Sequence, residues 1–407
     1  MRILLCHNYY QQPGGEDRHF EDEIHFLRAH GHEVVTLVAH NDTIPGRARL
    51  GLVRDALWNA RMAQTLRDTV RRCRAQVVHF HNTFPLISPA GYYAARDAGA
   101  VVVQTLHNFR LLCVNALLYR DRRLCEQCLR RMVPWRGVLH GCYRQSRNVS
   151  AVVAAMITLH RSLGTWRRAV DRYIAVSEFA RRKFIEGGLP AQRINVIPNA
   201  VHPDPGPGGG SGGYAVFVGR LTQEKGVATL LSAWERLSGR LKLKIIGDGP
   251  LAGEVETAAR RTPGVEWLGY RTPPELLAIV GEAACLVMPS VWYETFGRTI
   301  IEAFAKGTPV IASRLGAMAE LVDDGRTGLF FEPGNARDLV VKAARLLDDP
   351  AMLNRMRREA RREYEEKYTA ERNYRMLMEV YHQAGPADVQ APQCNNYDPV
   401  AESFQCR

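Results

Sequence analysis

The chain has 407 residues, 46% hydrophobic and 24% charged, which excludes a single small module, a disordered polymer, collagen and a coiled-coil rod. Its formal charge of +12 favours phosphates, anionic lipid or nucleic acid as partners, and it is unevenly placed: residues 1–200 hold 29 Lys and Arg against 15 Asp and Glu, residues 201–407 hold 25 against 27. No apolar run reaches the roughly 18 residues of a spanning helix and nothing behind Arg2 reads as a secretion signal, so a cytosolic chain is expected, its nine cysteines thiols or metal ligands rather than a disulfide framework.

In chain order, short β-branched runs at 2–6, 34–38, 77–80, 101–106, 173–176 and 194–197 alternate with segments of helical period. The first run leads into Gly14-Gly15 and a helix, without the G-x-G-x-x-G of a dehydrogenase. Leu50, Val53, Leu57, Ala60, Ala63, Leu66, Val70 and Cys73 then recur at helical spacing among Arg49, Arg54, Arg61, Arg67, Arg71 and Arg74. This predicts one basic amphipathic helix, either an ordinary domain helix or a face that lies on anionic lipid. His79 and His81 share one face of a strand, as core residues or as lining for an acceptor. His107 follows the strand at 101–106 directly. Cys113, Cys125, Cys128 and Cys142 occupy a stretch of little periodicity. Their C-x2-C pair suits a tetrahedral structural zinc site, although the outer spacings match no standard finger and Cys113 reads equally as a core thiol.

Residues 203–213 read PDPGPGGGSGG, a stretch with too few side chains for a core and too much backbone freedom to hold one shape. It predicts a hinge between an N-terminal domain, 1–200, and a C-terminal domain, 214–350. Six more strand candidates follow at 215–218, 242–246, 265–268, 285–288, 309–312 and 328–331, then one long charged helix over 351–382 and a disordered tail over 384–407. Each half suits one doubly wound α/β sheet, and two such sheets face each other across a cleft at their C-terminal strand ends.

Two motifs of the second half carry chemistry. Phe217-Val-Gly-Arg-Leu-Thr-Gln-Glu-Lys-Gly226 sets Arg220 and Lys225 on a loop beyond a strand, where two cations can hold a diphosphate and offset charge growing on a leaving nucleotide. Between Pro289 and Ala303, Glu294 and Glu302 flank Gly297. They read as two hydroxyl-binding carboxylates, one on a loop and one in a helix, beside helix amides free to meet an anion. Gly247-Asp-Gly-Pro250 reads mainly as a turn.

Together these residues resemble the retaining, nucleotide-sugar-dependent glycosyltransferases of family 4. Glu294 to Glu302 matches the family's E-x7-E element and Gly219-Arg220 to Lys225-Gly226 its G-R-x-x-x-x-K-G element. The resemblance covers residues 1–382. It implies the GT-B fold, two Rossmann-like domains facing across a cleft. It further implies that Arg220 and Lys225 bind the donor diphosphate, Glu302 the ribose and Glu294 the transferred sugar, with the backbone of Phe296 and Gly297 lining that pocket. From the N-terminal side, Gly14 and Gly15 would approach the donor phosphate and His107 the donor sugar, and the C-terminal helix would cross back to brace that domain.

The reaction so implied moves a sugar from a UDP- or GDP-sugar to an acceptor by same-face attack. The donor phosphate helps to deprotonate the acceptor, and no cofactor or catalytic metal is needed. The acceptor is expected to be a lipid-linked glycan of surface polysaccharide or exopolysaccharide assembly, met by a chain peripheral to the anionic inner face of the membrane, with nucleic acid as no partner. An epimerase on the same fold, a non-catalytic nucleotide-sugar-binding subunit and a nucleic-acid binder are the rival classes. The intact acidic and basic motifs disfavour the first two, and the want of a binding module disfavours the third.

Overall fold

The protein is described from a computed structural model covering residues 1–12, 14–237 and 239–385. The N-terminal half contains β1 (Arg2–Tyr9), β2 (Glu33–His40), β3 (Val77–Phe80), β4 (Val101–Leu106), a small antiparallel hairpin of β5 (Tyr119–Arg120) and β6 (Arg123–Leu124), then β7 (Arg172–Ala175) and β8 (Ile194–Val196). Except for the hairpin, these form one parallel sheet in the order β2-β1-β3-β4-β7-β8. The C-terminal half supplies β9 (Tyr214–Val218), β10 (Lys242–Ile246), β11 (Val265–Gly269), β12 (Cys285–Met288), β13 (Val310–Ser313) and β14 (Gly328–Phe331), ordered β11-β10-β9-β12-β13-β14. The expected pair of doubly wound α/β sheets is therefore present, with strand ends displaced by up to three residues.

Several strands are buried along their whole length because helices cover both faces. Every residue of β3, β12, β13 and β14 is buried. Strand order reverses between β1 and β3 and between β9 and β12, and a crevice opens at the C-terminal ends of such pairs. Those ends carry His7, His81 and His107 in the first sheet and the loops at 219–226 and 289–297 in the second.

Three expectations are corrected. The glycine-rich segment does not swing freely. Gly208, Gly210 and Gly212 donate backbone hydrogen bonds to Lys306, Gly281 and Glu282, and Arg357 reaches the carbonyl of Gly208 at 2.9 Å. A Cβ at Gly208 would stand 2.3 Å from the Gly281 oxygen, so here glycine serves close packing against the second domain rather than motion.

Nor is the C-terminal helix continuous: Pro350–Lys367 lies on the second domain and Ala370–Ala384 on the first. Tyr368 packs in one core and Tyr381 in the other, and an extended Thr369 lets the chain pass between them. At that crossing Val201 donates to the Tyr368 oxygen and pairs with Thr369, so the two inter-domain passages run side by side.

The basic segment forms two helices, Arg49–Leu57 and Ala60–Cys73, because Asn59 leaves helical geometry to cap the second through its Oδ1. Ala63, Leu66 and Val70 face the core, whereas Leu50 is 86% exposed. The expected tail lies, apart from Ala384 and Gly385, outside the described residues.

Candidate functional site

Glycines join the three loops at the ends of β9, β10 and β12. Gly226 has φ +74° and its Cα sits so close to Pro289 that a Cβ would fall 1.8 Å from that carbonyl oxygen. At Gly247, φ +137°, a Cβ would fall 2.0 Å from the Gly219 oxygen. Gly247-Asp-Gly-Pro250 is thus the buttress of the loop that bears Arg220, and Leu221 donates to Asp248 across the seam. Glycine at these positions fixes where the charges of the site stand.

On that platform Lys225 Nζ lies 2.6 Å from Glu294 Oε1, which also accepts from Ser290 Oγ at 2.8 Å and Trp292 Nε1 at 2.9 Å. The Lys225 ammonium sits 5.5 Å from the centre of the Trp292 ring. Arg220 is exposed. Gly297, φ +103°, opens the helix Arg298–Ala305, in which Glu302 accepts from Arg298 Nε at 3.0 Å. Phe296 itself is buried. The two glutamates have separate partners and share no proton.

The opposite wall is built from histidines. His107 Nε2 lies 3.1 Å from His81 Nδ1, and Glu23 is surrounded by His79 at 2.7 Å, His81 at 3.4 Å and His19 at 3.6 Å. Burial drives His107 far below the ordinary imidazole range and pulls His81 down to about 3, while the surrounding histidines hold the Glu23 carboxyl ionised despite its burial. His79 does not line a cleft. It is wholly buried and touches Thr105 and Tyr381, tying the C-terminal helix to the sheet.

Gly14 donates to Asp17 Oδ2 at 2.8 Å, and Asp17 also holds His7 at 2.7 Å. A Cβ at Gly15 would meet nothing within 4 Å, which leaves this loop open on its outer side. Glu16 reaches Asn108 at 2.9 Å, and burial raises its carboxyl above the usual range.

The walls touch. Thr295 Oγ1 donates to the His107 carbonyl at 2.8 Å, and Ser177 Oγ donates to the Thr295 carbonyl at 2.6 Å. Asp22 and Glu302 grip Arg298 from opposite domains, at 2.6 and 3.0 Å. Glu320 caps the helix Glu178–Glu186 across the interface, accepting the amides of Glu178 and Phe179. His107 and the loop bearing Glu294 therefore form one site. Cys113, Cys125, Cys128 and Cys142 surround a separate small cavity in the first domain.

Residues 13–205 match the family described as Glycosyltransferase Family 4, and residues 212–349 match Glycosyl transferases group 1. This chain belongs to the family 4 glycosyltransferases. Among curated relatives, a glycosyltransferase of Methanocaldococcus jannaschii is 30% identical over 52% of this chain and 59% of its own length. The glycogen synthase of Mycobacterium tuberculosis is 36% identical over 36% of each chain. The D-inositol 3-phosphate glycosyltransferase of an Arthrobacter species is 25% identical over 81% of this chain and 76% of its own. Against the first two the chain spans between about a third and three fifths of the relative's length.

Solved structures share the GT-B fold. Anabaena HepE in complex with UDP superposes with a TM-score of 0.67 at 18% identity, covering 93% of this chain and 99% of that one. Sucrose-phosphate synthase of Thermosynechococcus elongatus gives 0.70 at 17%, covering 94% and 98%.

For this family 4 glycosyltransferase, motif reading missed Asp22, Glu23, Arg298, Thr295 and Glu320. All five act across the two domains or between distant segments, where sequence spacing is silent. Only Arg298 had a local signal, four residues before Glu302 on one helix face. His19, His81 and His107 form one group whose ligand atoms lie within 4.8 Å of one another, and Glu23, His79 and His81 form a second. Within these groups His81 hydrogen-bonds His107, and Glu23 draws His19, His79 and His81 around it.

Proposed function

We propose that the chain is a retaining glycosyltransferase moving a sugar from a UDP- or GDP-sugar to a lipid-linked glycan in surface polysaccharide or exopolysaccharide assembly. The observation that carries the reading is the meeting of His107 with the loop bearing Glu294, opposite the Arg220 and Lys225 platform. A donor diphosphate competes with Glu294 for the Lys225 ammonium and recruits the exposed Arg220. Lys225 then holds phosphate, and the released Glu294 oxygen accepts a hydroxyl of the sugar, so donor binding sets the carboxylate for its second task. Burial keeps His107 neutral and therefore a hydrogen-bonding group rather than a competing cation. Glu302 meets the ribose, and the amides beyond Gly297, with Gly14 and Gly15 opposite, line the phosphate path. The donor's own phosphate takes the acceptor proton, and contact between the walls excludes water. The solved UDP and UDP-glucose complexes of HepE support a nucleotide-sugar donor.

No helix among the described residues is long and apolar enough to cross a membrane. A peripheral contact is supported instead by Met132, Val133, Trp135 and Leu139, which are exposed on a lobe of the first domain also carrying Arg130, Arg131 and Arg136. Apolar side chains ringed by arginines suit an anionic lipid surface.

The test is thermal unfolding against UDP-, GDP- and ADP-sugars, with Arg220→Ala and Glu302→Ala beside the wild type. One nucleotide class should raise the melting temperature of wild type alone. Turnover with that donor and a lipid-linked acceptor should then preserve the anomeric configuration by NMR. No stabilisation by any nucleotide sugar, or an inverted product, overturns the reading.

A further inference from the structure

We propose that Cys113, Cys125, Cys128 and Cys142 bind one zinc ion, which fixes the lobe at 109–145 and holds it against the donor domain. The four side chains converge from segments up to 29 residues apart on one small cavity, with Asn115, Tyr119 and Arg120 at its wall, and all four are free thiols. Burial favours the neutral thiol at Cys113, Cys128 and Cys142, and Cys113 Sγ donates to Asn115 Oδ1 at 3.0 Å, so what favours the ion is the convergence of the four sulfurs and the donors around them. The amides of Leu118 and Asn115 point at the Cys113 sulfur and that of Gly137 at Cys128, while Arg120 hydrogen-bonds Cys142 and lies near Cys125. Amide and guanidinium donors around sulfur are the outer shell that a thiolate-bound ion requires. Gly137 belongs to the same construction, because a Cβ there would lie 2.5 Å from Val114.

The lobe is anchored to the first-domain core by Phe109, Leu112, Val114, Leu118 and Leu129, but it has little regular structure. Its regular structure comprises two two-residue strands and the five-residue helix Trp135–Leu139. Ala116, Leu118, Asp121, Arg122, Arg144 and Gln145 all take left-handed backbone conformations, with φ between 50° and 67°. Six non-glycine residues in that region, within thirty positions, need a local tie.

Four sulfur ligands with a C-x2-C pair select zinc by softness and geometry. Among the described residues, only the histidine groups bring three ligand atoms within 4.8 Å of one another. The sulfurs therefore ring the cavity more loosely than a tetrahedral set at about 2.3 Å from the metal, and the ion draws them in as the thiols lose their protons.

The consequence reaches the site. Glu126, next to Cys125, lies 2.8 Å from Lys183 and hydrogen-bonds Tyr293, the neighbour of Glu294. An ion that fixes Cys125 fixes this bridge between the domains.

The test uses the full chain, produced with zinc in the medium and purified without chelator. Elemental analysis should find about one zinc per chain. Cys125 and Cys142, both half-buried, should alkylate at least roughly tenfold faster after the metal is stripped by chelator, since a bound thiolate is shielded. Cobalt substitution should give the intense visible bands of a tetrahedral thiolate site. Cys125→Ser should lose the metal and Cys73→Ser should keep it. The metal content and alkylation of the wild type decide the matter even where Cys125→Ser fails to fold. Substoichiometric zinc, a disulfide among the four, or equal alkylation with and without chelator overturns the proposal.

Discussion

Replacing Gly226 by Ala tests whether glycine packing sets the charges of the site. The new Cβ would stand 1.8 Å from the Pro289 oxygen, where contacts under 3.0 Å essentially never occur. The two loops must therefore separate by about 1.2 Å, the difference between those distances, and the left-handed backbone at φ +74° costs Ala about 1 kcal/mol more. Lys225 is the next residue and Glu294 lies on the other loop. Their 2.6 Å contact would open to roughly 3.8 Å, outside hydrogen-bonding range. A misplacement of that size at a reacting group costs on the order of 10²-fold in rate.

Urea denaturation, calorimetric titration with the stabilising nucleotide sugar, and kcat/KM measure the three consequences. Gly253→Ala is the matched control: it lies in the helix Ala252–Arg261 with nothing within 4 Å of its Cβ, and should leave activity unchanged while adding about 0.5–1 kcal/mol of stability. A Gly226→Ala protein with wild-type affinity and turnover would falsify the claim that loop packing positions Lys225.

Glu294→Gln keeps the shape but removes the charge facing Lys225, so kcat should fall at least about 10²-fold while nucleotide affinity stays level or rises, because the diphosphate no longer competes with a carboxylate for Lys225; an equal loss in both would overturn that competition. Arg298→Ala leaves Asp22 and Glu302 facing each other in a mostly buried seam, a loss of about 3–5 kcal/mol. Small-angle scattering should show a larger radius for this variant, and an unchanged radius and stability would mean that the seam does not hold the domains together. Acid should weaken the fold. His81 titrates near 6.5 when unfolded but at about 3 in the native protein, so between those values the unfolded chain binds the extra proton and stability falls as pH falls. From pH 7 to pH 5 this one group removes about 2 kcal/mol, read by urea denaturation. The loss should shrink in His81→Asn, and an identical slope in both proteins would assign the acid sensitivity elsewhere.

Much of the protein is legible in its sequence because parallel strands covered on both faces are rich in β-branched and other apolar residues. Twelve such runs, spaced by helical segments, leave few arrangements other than two doubly wound sheets. The positions of Arg220, Lys225, Glu294, Glu302 and Gly297 are equally legible, since each belongs to a short motif directly beyond a strand, where a doubly wound sheet opens its crevice. What composition suggests about residues 203–213 is misleading. Glycine is as necessary for close backbone packing as for freedom, and only the neighbours of Gly208 distinguish the two.

Tertiary structure alone decided the remainder. Glu23 reads as one more polar residue of an amphipathic helix until β3, β4 and the C-terminal helix bring His79, His81 and Tyr381 around it. Asp22 and Arg298, 276 positions apart, acquire their meaning only when the domains meet. The sequence determines which elements form and which charges stand at their ends, because both follow from local period and short motifs. Which buried charges find partners, and which glycines are packed rather than free, depends on contacts between segments that are remote along the chain.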